Sequence, residues 1–217
     1  MTEKLNFRSL DKNQDIGDAS LALGQPSCGV TLRELTSAYT IFHDGTSKKS
    51  RTYYKVTDSN GKIILSNKSE IQNAISRETA SVMTKLLCSV VTEGTASGYI
   101  QLPEGIEVAG KTGTTQSCYD KYFIGFTPTL LAGVWQGYDY PRSLDFIKGN
   151  FAICIWDDIM NEIYSNTQYK NSKKNFDISK NVQELSYNRT TGLPPENYDD
   201  ISEIEYGWFD IKDKIFG

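Results

Sequence analysis

After Thr31 the apolar residues Leu32, Leu35, Tyr39 and Phe42 recur at helical spacing until His43-Asp-Gly45 interrupts them. Thr31-Leu-Arg-Glu34 has capping-box spacing, so this stretch predicts one helix of about three turns. RTYYKVTD and KIILS then flank Ser59-Asn60-Gly61, and Asn-Gly between two strand-like runs predicts a β-hairpin. Ser76-Arg-Glu-Thr79 opens a second helix closing near Gly94, whose Val82, Met83, Leu86, Leu87, Val90 and Val91 predict one buried face. From Ile106 the period changes to two. IEVAGKTGTT, KYFIGFTPT and LLAGVWQGY predict three consecutive strands of an antiparallel meander. Phe151, Ile155, Ile159 and Ile163, with Trp156 and Met160, then describe an amphipathic helix ending near Tyr164.

From Ser165 to about Val182 the chain is polar, rich in Asn and Lys, and linker-like. The rest holds a turn at Thr191-Gly-Leu-Pro-Pro195 and the aromatic run YGWF at 206–209, which predict edge strands or a small appendage. Helices, then an antiparallel sheet, then a helix crossing it, make an α+β fold with an antiparallel sheet packed with helices. The division expected is a main unit over residues 1–165 and a polar linker with a C-terminal strand region over 166–217.

Composition narrows the chemistry. The 217 residues are 38% hydrophobic and 23% charged, as in an ordinary folded domain. The net charge is −4, and the only Lys/Arg cluster is KNSKKN at 170–175, which argues against nucleic acid. No apolar run has the length of a membrane span and Met1-Thr-Glu-Lys opens no signal peptide, so a soluble chain without an export address is expected. Cys28, Cys88, Cys118 and Cys154 form no C-x-x-C, and His43 is the single histidine, so a metal site has nothing to build on. Four unpaired, mostly buried thiols are expected.

GIEVAGKTGTT, residues 105–115, admits two readings. From Gly105 it is G-x-x-x-x-G-K-T, a phosphate-binding loop of a nucleotide hydrolase; from Lys111 it is K-T-G-T on a strand. The loop reading needs a strand before Gly105, where Pro103 stands, and a helix from Lys111-Thr112, where Gly113, Thr114 and Thr115 follow. The apolar run ending in Asp157-Asp158 imitates a metal-binding strand, but its residues fit helical spacing better. The strand reading stands. In it Lys111 and Gly113 share one face, Thr112 and Thr114 the other, and the edge amides remain free for a peptide-like ligand. Asp120 and Lys121 read as a solvated turn, and Cys118, shortly after the triplet, as a structural thiol near the pocket rim.

Around the triplet, VVTEGTASG, VAGKTGTT, YFIGFTPTLLAGVWQGYD and FAICIWDDIM come in the order found in the transpeptidase domain of class A penicillin-binding proteins, which they resemble, as does SLALGQPSCGVTLRELTSAYTIFHDGT before them. The resemblance spans roughly residues 5–165, with Thr191-Gly-Leu193 similar to the family's short C-terminal strand region. It implies a partial penicillin-binding-protein/β-lactamase-like fold and a peptidoglycan D,D-transpeptidase at the outer face of the bacterial plasma membrane. No cofactor is implied. The partner implied is a stem peptide ending in D-Ala-D-Ala, or a β-lactam, lying along the strand. Lys111 would set a positive potential, the Thr112 and Thr114 hydroxyls would take the carboxylate, Gly113 would give clearance, Thr115 would complete the binding strand, and the Thr114 N–H would serve as an oxyanion donor.

The family also needs S-x-x-K and S-x-N before the triplet. S-x-x-K occurs at Ser9–Lys12 and Ser59–Lys62, and S-x-N at Ser179/Asn181 and Ser186/Asn188, the latter two after the triplet. All four are rejected as catalytic. The expectation is a substrate-binding portion without its nucleophile, inactive alone and completed by the missing N-terminal half, or a non-catalytic stem-peptide or partner-binding module.

Overall fold

The alternating stretches form a three-stranded antiparallel sheet, and its order places the triplet strand at one edge. A computed structural model describes residues 2–5, 7–11, 13–15, 19–166 and 168–213; Lys12 of the first S-x-x-K lies outside them. Short helices α1 (Ala19–Ala22), α2 (Leu32–Ala38) and α3 (Ile41–Asp44) come first. Strands β1 (Thr46–Lys48), β2 (Lys55–Thr57), β3 (Ile63–Ser66) and β4 (Ile71–Asn73) follow, with β1 pairing β4 and β2 pairing β3. Helix α4 (Arg77–Thr92) leads into β5 (Ala109–Thr114), β6 (Lys121–Phe126) and β7 (Leu131–Gln136). Helix α5 (Phe151–Ser165) and the hairpin β8 (Val182–Asn188) with β9 (Ile204–Asp210) complete the chain. No helix of the described residues is long and apolar enough to cross a membrane.

Antiparallel register puts Thr112, Phe123 and Val134 on one face of the sheet, and Lys111, Ile124 and Gly133 on the other. The first face is the core. Phe123 and Trp156 of α5, both fully buried, meet edge to face with centroids 5.4 Å apart. A row of small residues makes room for them. A Cβ on Gly125 would stand 2.6 Å from Phe123 and 2.7 Å from Trp156, and one on Gly110 would stand 2.6 Å from Phe123. With no side chains between, the Trp156 Nε1–H reaches the backbone and donates to the Gly125 and Ala132 carbonyls at 3.1 and 3.2 Å. Ala152, Ile153, Met160 and Tyr164 of α5 fill the rest of this core. On the opposite face α2 approaches so closely that a Cβ at Gly133 would collide with Thr36 and with Ile124. Helix α4 serves both sides: Leu87 packs beside Ala109 and Phe126, while Val90 and Val91 pack toward Phe123 and Trp156.

Several expectations need correction. The capping box at Thr31 and Glu34 forms, with Glu34 N–H donating to Thr31 Oγ1 at 3.2 Å, but the three-turn helix is two short ones. Thr40 N–H and Thr40 Oγ1 both turn back to the Ser37 carbonyl, which tightens the chain and separates α2 from α3. Helix α4 buries Ala80, Ser81, Thr84 and Leu87, whereas Leu86 is half exposed. In α5 the buried side is Ala152, Ile153, Trp156, Met160 and Tyr164; Phe151, Ile155 and Ile159 are exposed. In α4 small or polar residues face the tight contact in place of the bulkier aliphatic stripe, whereas in α5 the side carrying Trp156 and Met160 turns inward instead of the Phe151, Ile155 and Ile159 side.

The polar stretch after α5 is fastened down. Glu107 N–H donates to the Lys174 carbonyl, Phe176 N–H donates to Glu107 Oε2 at 2.6 Å, and the Phe176 ring packs on Phe126. Ser179 and Asn181, one of the two S-x-N occurrences, both donate to Glu78 Oε1 at the start of α4. Those bonds, Asn181's foremost, hold the Glu78 carboxyl below its ordinary pKa. Asn188 of the other S-x-N caps a turn by accepting from the Thr190 and Thr191 amides. Thr191-Gly192-Leu193 is the loop between β8 and β9 and not a strand. The four cysteines are free, with Cys28 exposed and the others half-buried, so the expected burial is incomplete. Burial pushes the Cys88 thiol up to about 11.

Gly125→Ala is expected to cost about 1–3 kcal/mol, because neither Phe123 nor Trp156 can retreat in a filled core. Trp156→Ala is expected to cost about 3–5 kcal/mol. Urea unfolding monitored by circular dichroism measures both, and losses under 0.5 kcal/mol would contradict the packing described.

Candidate functional site

Strand β5 reads Ala-Gly-Lys-Thr-Gly-Thr and pairs with β6 through Lys111↔Ile124, Thr112↔Phe123, Gly113↔Tyr122 and Thr114↔Lys121. The chain is extended through Lys111 and no helix begins at Thr112, so the phosphate-binding loop is excluded: an extended strand paired with β6 cannot also wrap its amides into an inward ring. The strand proper begins at Ala109, three residues later than the period-two pattern predicts, because Ile106 follows the turn at Pro103.

Beside β5 lies a groove of about 680 Å³. Its floor is Leu35, Tyr39, Tyr122 and Ile124; one wall is the triplet, and the other is the turn from Leu23 to Val30. All five residues expected at the site, Lys111, Thr112, Gly113, Thr114 and Thr115, line it. Among the described lining residues Lys111 is the sole ionised side chain, and no carboxylate lies within ion-pair distance of it. Its Nζ donates only to the neighbouring Thr112 carbonyl at 3.1 Å. Burial pushes the Tyr39 phenol up to about 12 and raises Tyr122 as well, so both floor hydroxyls are neutral at physiological pH. The groove has a floor of aliphatic and tyrosine side chains, threonines and glutamines among its walls, and one cation at its lip.

The threonines differ in what they touch. Thr112 Oγ1 bonds to Thr95 Oγ1 at 2.8 Å, tying β5 to the loop after α4. That loop is anchored by Ala96, fully buried, whose N–H donates to the Val90 carbonyl. Thr115 Oγ1 accepts from the Tyr119 and Asp120 amides at 3.1 and 3.0 Å and so caps the β5–β6 turn. Thr114 makes no side-chain hydrogen bond among the described residues and its hydroxyl is free to meet a ligand. A side chain at Gly113 would begin 3.3 Å from Tyr122 Cβ, within the groove.

Lys121 is buried, not in a solvated turn: its Nζ donates to the Ile147 and Gly149 carbonyls at 3.1 and 2.9 Å, closing the sheet beside Thr114. The alternation carried the signal, since Lys121 is in phase with Phe123 and Gly125 on the core face. Asp120 accepts from Trp135 Nε1 at 2.8 Å. Cys118 does not line the groove; burial, then its bond to Asp145, raises its thiol, and its carbonyl accepts from Leu144 N–H. Asp157 lies within α5, where it accepts from Gln101 N–H at 2.9 Å. Neither Ser9, bonded to the Gly29 carbonyl, nor Ser59, in the β2–β3 turn, lines the groove. Among the described residues no cluster of three His, Cys, Asp or Glu could hold a metal. Sequence reasoning missed Thr95, Tyr39 and Tyr122: the apolar stripe marks Tyr39 as core, and nothing local links Thr95 to Thr112.

Comparison with known proteins gives this groove a context. Residues 5–135 match the model of the penicillin binding protein transpeptidase domain. Penicillin-binding protein 1A of Aquifex aeolicus is 36% identical over 172 residues, 76% of this chain and 23% of that protein. The chain thus spans about a quarter of that relative's length. Among solved structures, penicillin-binding protein 1A from Haemophilus influenzae superposes with a TM-score of 0.70 over 95% of this chain and 35% of that one, at 20% identity. Penicillin-binding protein A from M. tuberculosis, solved as an imipenem acyl-enzyme complex, gives 0.54 over 73% of this chain and 40% of that one, at 15% identity.

Thr95→Val and Thr112→Val are each expected to cost about 0.5–1 kcal/mol, and the double variant no more than the larger single loss, because one hydrogen bond is removed in each case. Additive losses in a denaturant double-mutant cycle would show that the two hydroxyls act independently.

Proposed function

The chain belongs to the penicillin-binding protein transpeptidase family as part of a class A transpeptidase domain, and from that premise we propose that it supplies the substrate-binding strand of a peptidoglycan D,D-transpeptidase. The observation that carries the reading is the groove along β5 with Lys111 as its unneutralised cation. A stem peptide ending in D-Ala-D-Ala, or a β-lactam, lies beside β5 as an added strand. Lys111 attracts the terminal carboxylate and Thr114 Oγ1 binds it; Thr115 shapes the end of the strand through its turn. Thr112, held by Thr95, acts on the ligand through its backbone. Gly113 leaves the ligand backbone room, and the Thr114 N–H donates to the oxyanion, a contact whose loss typically costs about 10²–10³ in rate. The natural setting is the outer face of the bacterial plasma membrane.

The serine nucleophile comes from outside these residues. Neither Ser9 nor Ser59 reaches the groove, and both S-x-N pairs are spent on structural bonds at Glu78 and the Asn188 turn. Alone, the chain binds without acylating, which also describes a non-catalytic module for stem peptides. With the remaining part of the domain in place, Lys111 and Thr114 act in acyl transfer.

A fluorescent penicillin is expected to bind reversibly and saturably, with no label surviving denaturation in detergent. Lys111→Ala and Thr114→Val are each expected to weaken binding by about tenfold. A covalent adduct located by mass spectrometry would overturn the claim of an external nucleophile. No reversible binding, or binding untouched by both substitutions, would overturn the role of β5.

A further inference from the structure

Among the described residues strands β2 and β3 pair with each other and with no other strand, and every residue in both is exposed. Tyr54 is 73% exposed, Ile63 56%, Ile64 61% and Leu65 52%. A lone two-stranded hairpin is at best marginally stable in water, so these side chains contribute little to folding where they stand. The hairpin is nevertheless well formed. Asp58 Oδ1 accepts from the Asn60 and Lys62 amides at 2.9 Å each, Gly61 takes the left-handed conformation at φ 81°, and Arg51 Nη1 donates to the Asn67 carbonyl at 2.9 Å. It projects from the body with both faces bare.

Its two edges are unequal. Lys55 guards β2, whereas β3, Ile-Ile-Leu-Ser, carries no charge and no proline, two of the devices that keep an edge strand from pairing, and its one irregularity is a register shift at Ile64. Charge tells what would pair there. Arg51, Lys55, Lys62 and Lys68 face one carboxylate, Asp58, across residues 51–68, and none of the four is ion-paired among the described residues. This local excess of positive charge stands on a chain whose net charge is −4. Two copies meeting hairpin to hairpin would oppose like charges. The polar tip, Asp58 to Lys62, keeps the apolar strands from entering a lipid surface end-on. We infer that the β2–β3 hairpin is a docking element for a separate partner protein, which adds an extended segment of alternating acidic and aliphatic residues along the open edge of β3. Main-chain bonds to β3 and contacts with the exposed side chains of Ile63, Ile64 and Leu65 supply the adhesion. The four cations select the acidic segment.

The probe is a fluorescent heptapeptide alternating glutamate and valine, titrated into the 217-residue chain with anisotropy as readout. Saturable binding is expected, weakening with salt, with backbone amide NMR shifts concentrated at Ile63–Ser66. A matched lysine/valine peptide should not bind. Ile64→Lys, which guards the edge, and the double variant Lys55→Glu, Lys62→Glu should each lose about tenfold in affinity at unchanged melting temperature. Should a variant fail to fold, the wild-type shift map decides alone: shifts absent from β3 overturn the proposal. So does equal affinity for the lysine/valine peptide or full affinity in folded Ile64→Lys. Binding to vesicles of phosphatidylcholine and phosphatidylglycerol without any response to the acidic peptide assigns the hairpin to lipid and overturns it. A dimer abolished by Ile64→Lys, again without peptide binding, assigns it to self-association and overturns it too.

Discussion

The seating of Trp156 on a strip of backbone is the contact on which the sheet depends. An indole packs directly on a sheet where the strands offer little side chain, and Gly125 with Ala132 gives that opening on β6 and β7, while Gly110 on β5 clears the Phe123 ring. The ring and the hydrogen bonds of its Nε1–H then bind α5 to β6 and β7 at once, while Phe123 spans the glycines of β5 and β6. Gly110 immediately precedes Lys111. The residue that lets the core close is therefore the neighbour of the residue that faces the groove, and the rigidity of one is transmitted to the other through a single extended strand.

The two faces of β5 divide the labour. Thr112, on the core face, finds its partner inside the protein at Thr95, and Lys121 on the same face is consumed by two carbonyls. Lys111, on the other face, meets no side-chain partner of opposite charge among the described residues, and Gly113 lies beside Tyr122 without a side chain of its own. An exposed cation without a counter-ion among the described residues is free to meet a carboxylate that arrives there. Neutral Tyr39 and Tyr122 hydroxyls in the floor add no competing negative charge. Such an arrangement fits recognition of a peptide's terminal carboxylate better than recognition of a phosphate, for which the backbone amides would have to turn inward.

Much of this was legible because the signals were local. The capping box at Thr31, the Asn-Gly hairpin, the Ser76 cap and the period-two strands each depend on a few neighbouring residues, and each forms. What the sequence hid depends on partners distant along the chain. The break at Thr40 arises from a hydroxyl turning back on Ser37 and from the β1 backbone, with Lys48 N–H donating to Thr40 Oγ1. Helix α5 turns its Trp156 side inward although Phe151, Ile155 and Ile159 are individually more apolar in pattern, because the sheet surface it meets is a notch shaped for one indole. The stretch after α5 looks like a linker by composition, yet Phe176 and Ser179 are tied to residues 69 and 98 positions earlier, which no window of sequence reveals. At the site the triplet was legible and its supports were not: Thr95, Tyr39 and Tyr122 reach the groove only through tertiary packing.

The role of β5 is tested most directly by backbone amide NMR of the isotopically labelled chain during titration with a peptide ending in D-Ala-D-Ala. Saturable shifts concentrated at Lys111, Gly113 and Thr114, with smaller ones at Tyr39 and Tyr122, are the expected result. Shifts that leave residues 111–114 unmoved while the peptide binds elsewhere on the chain would contradict it.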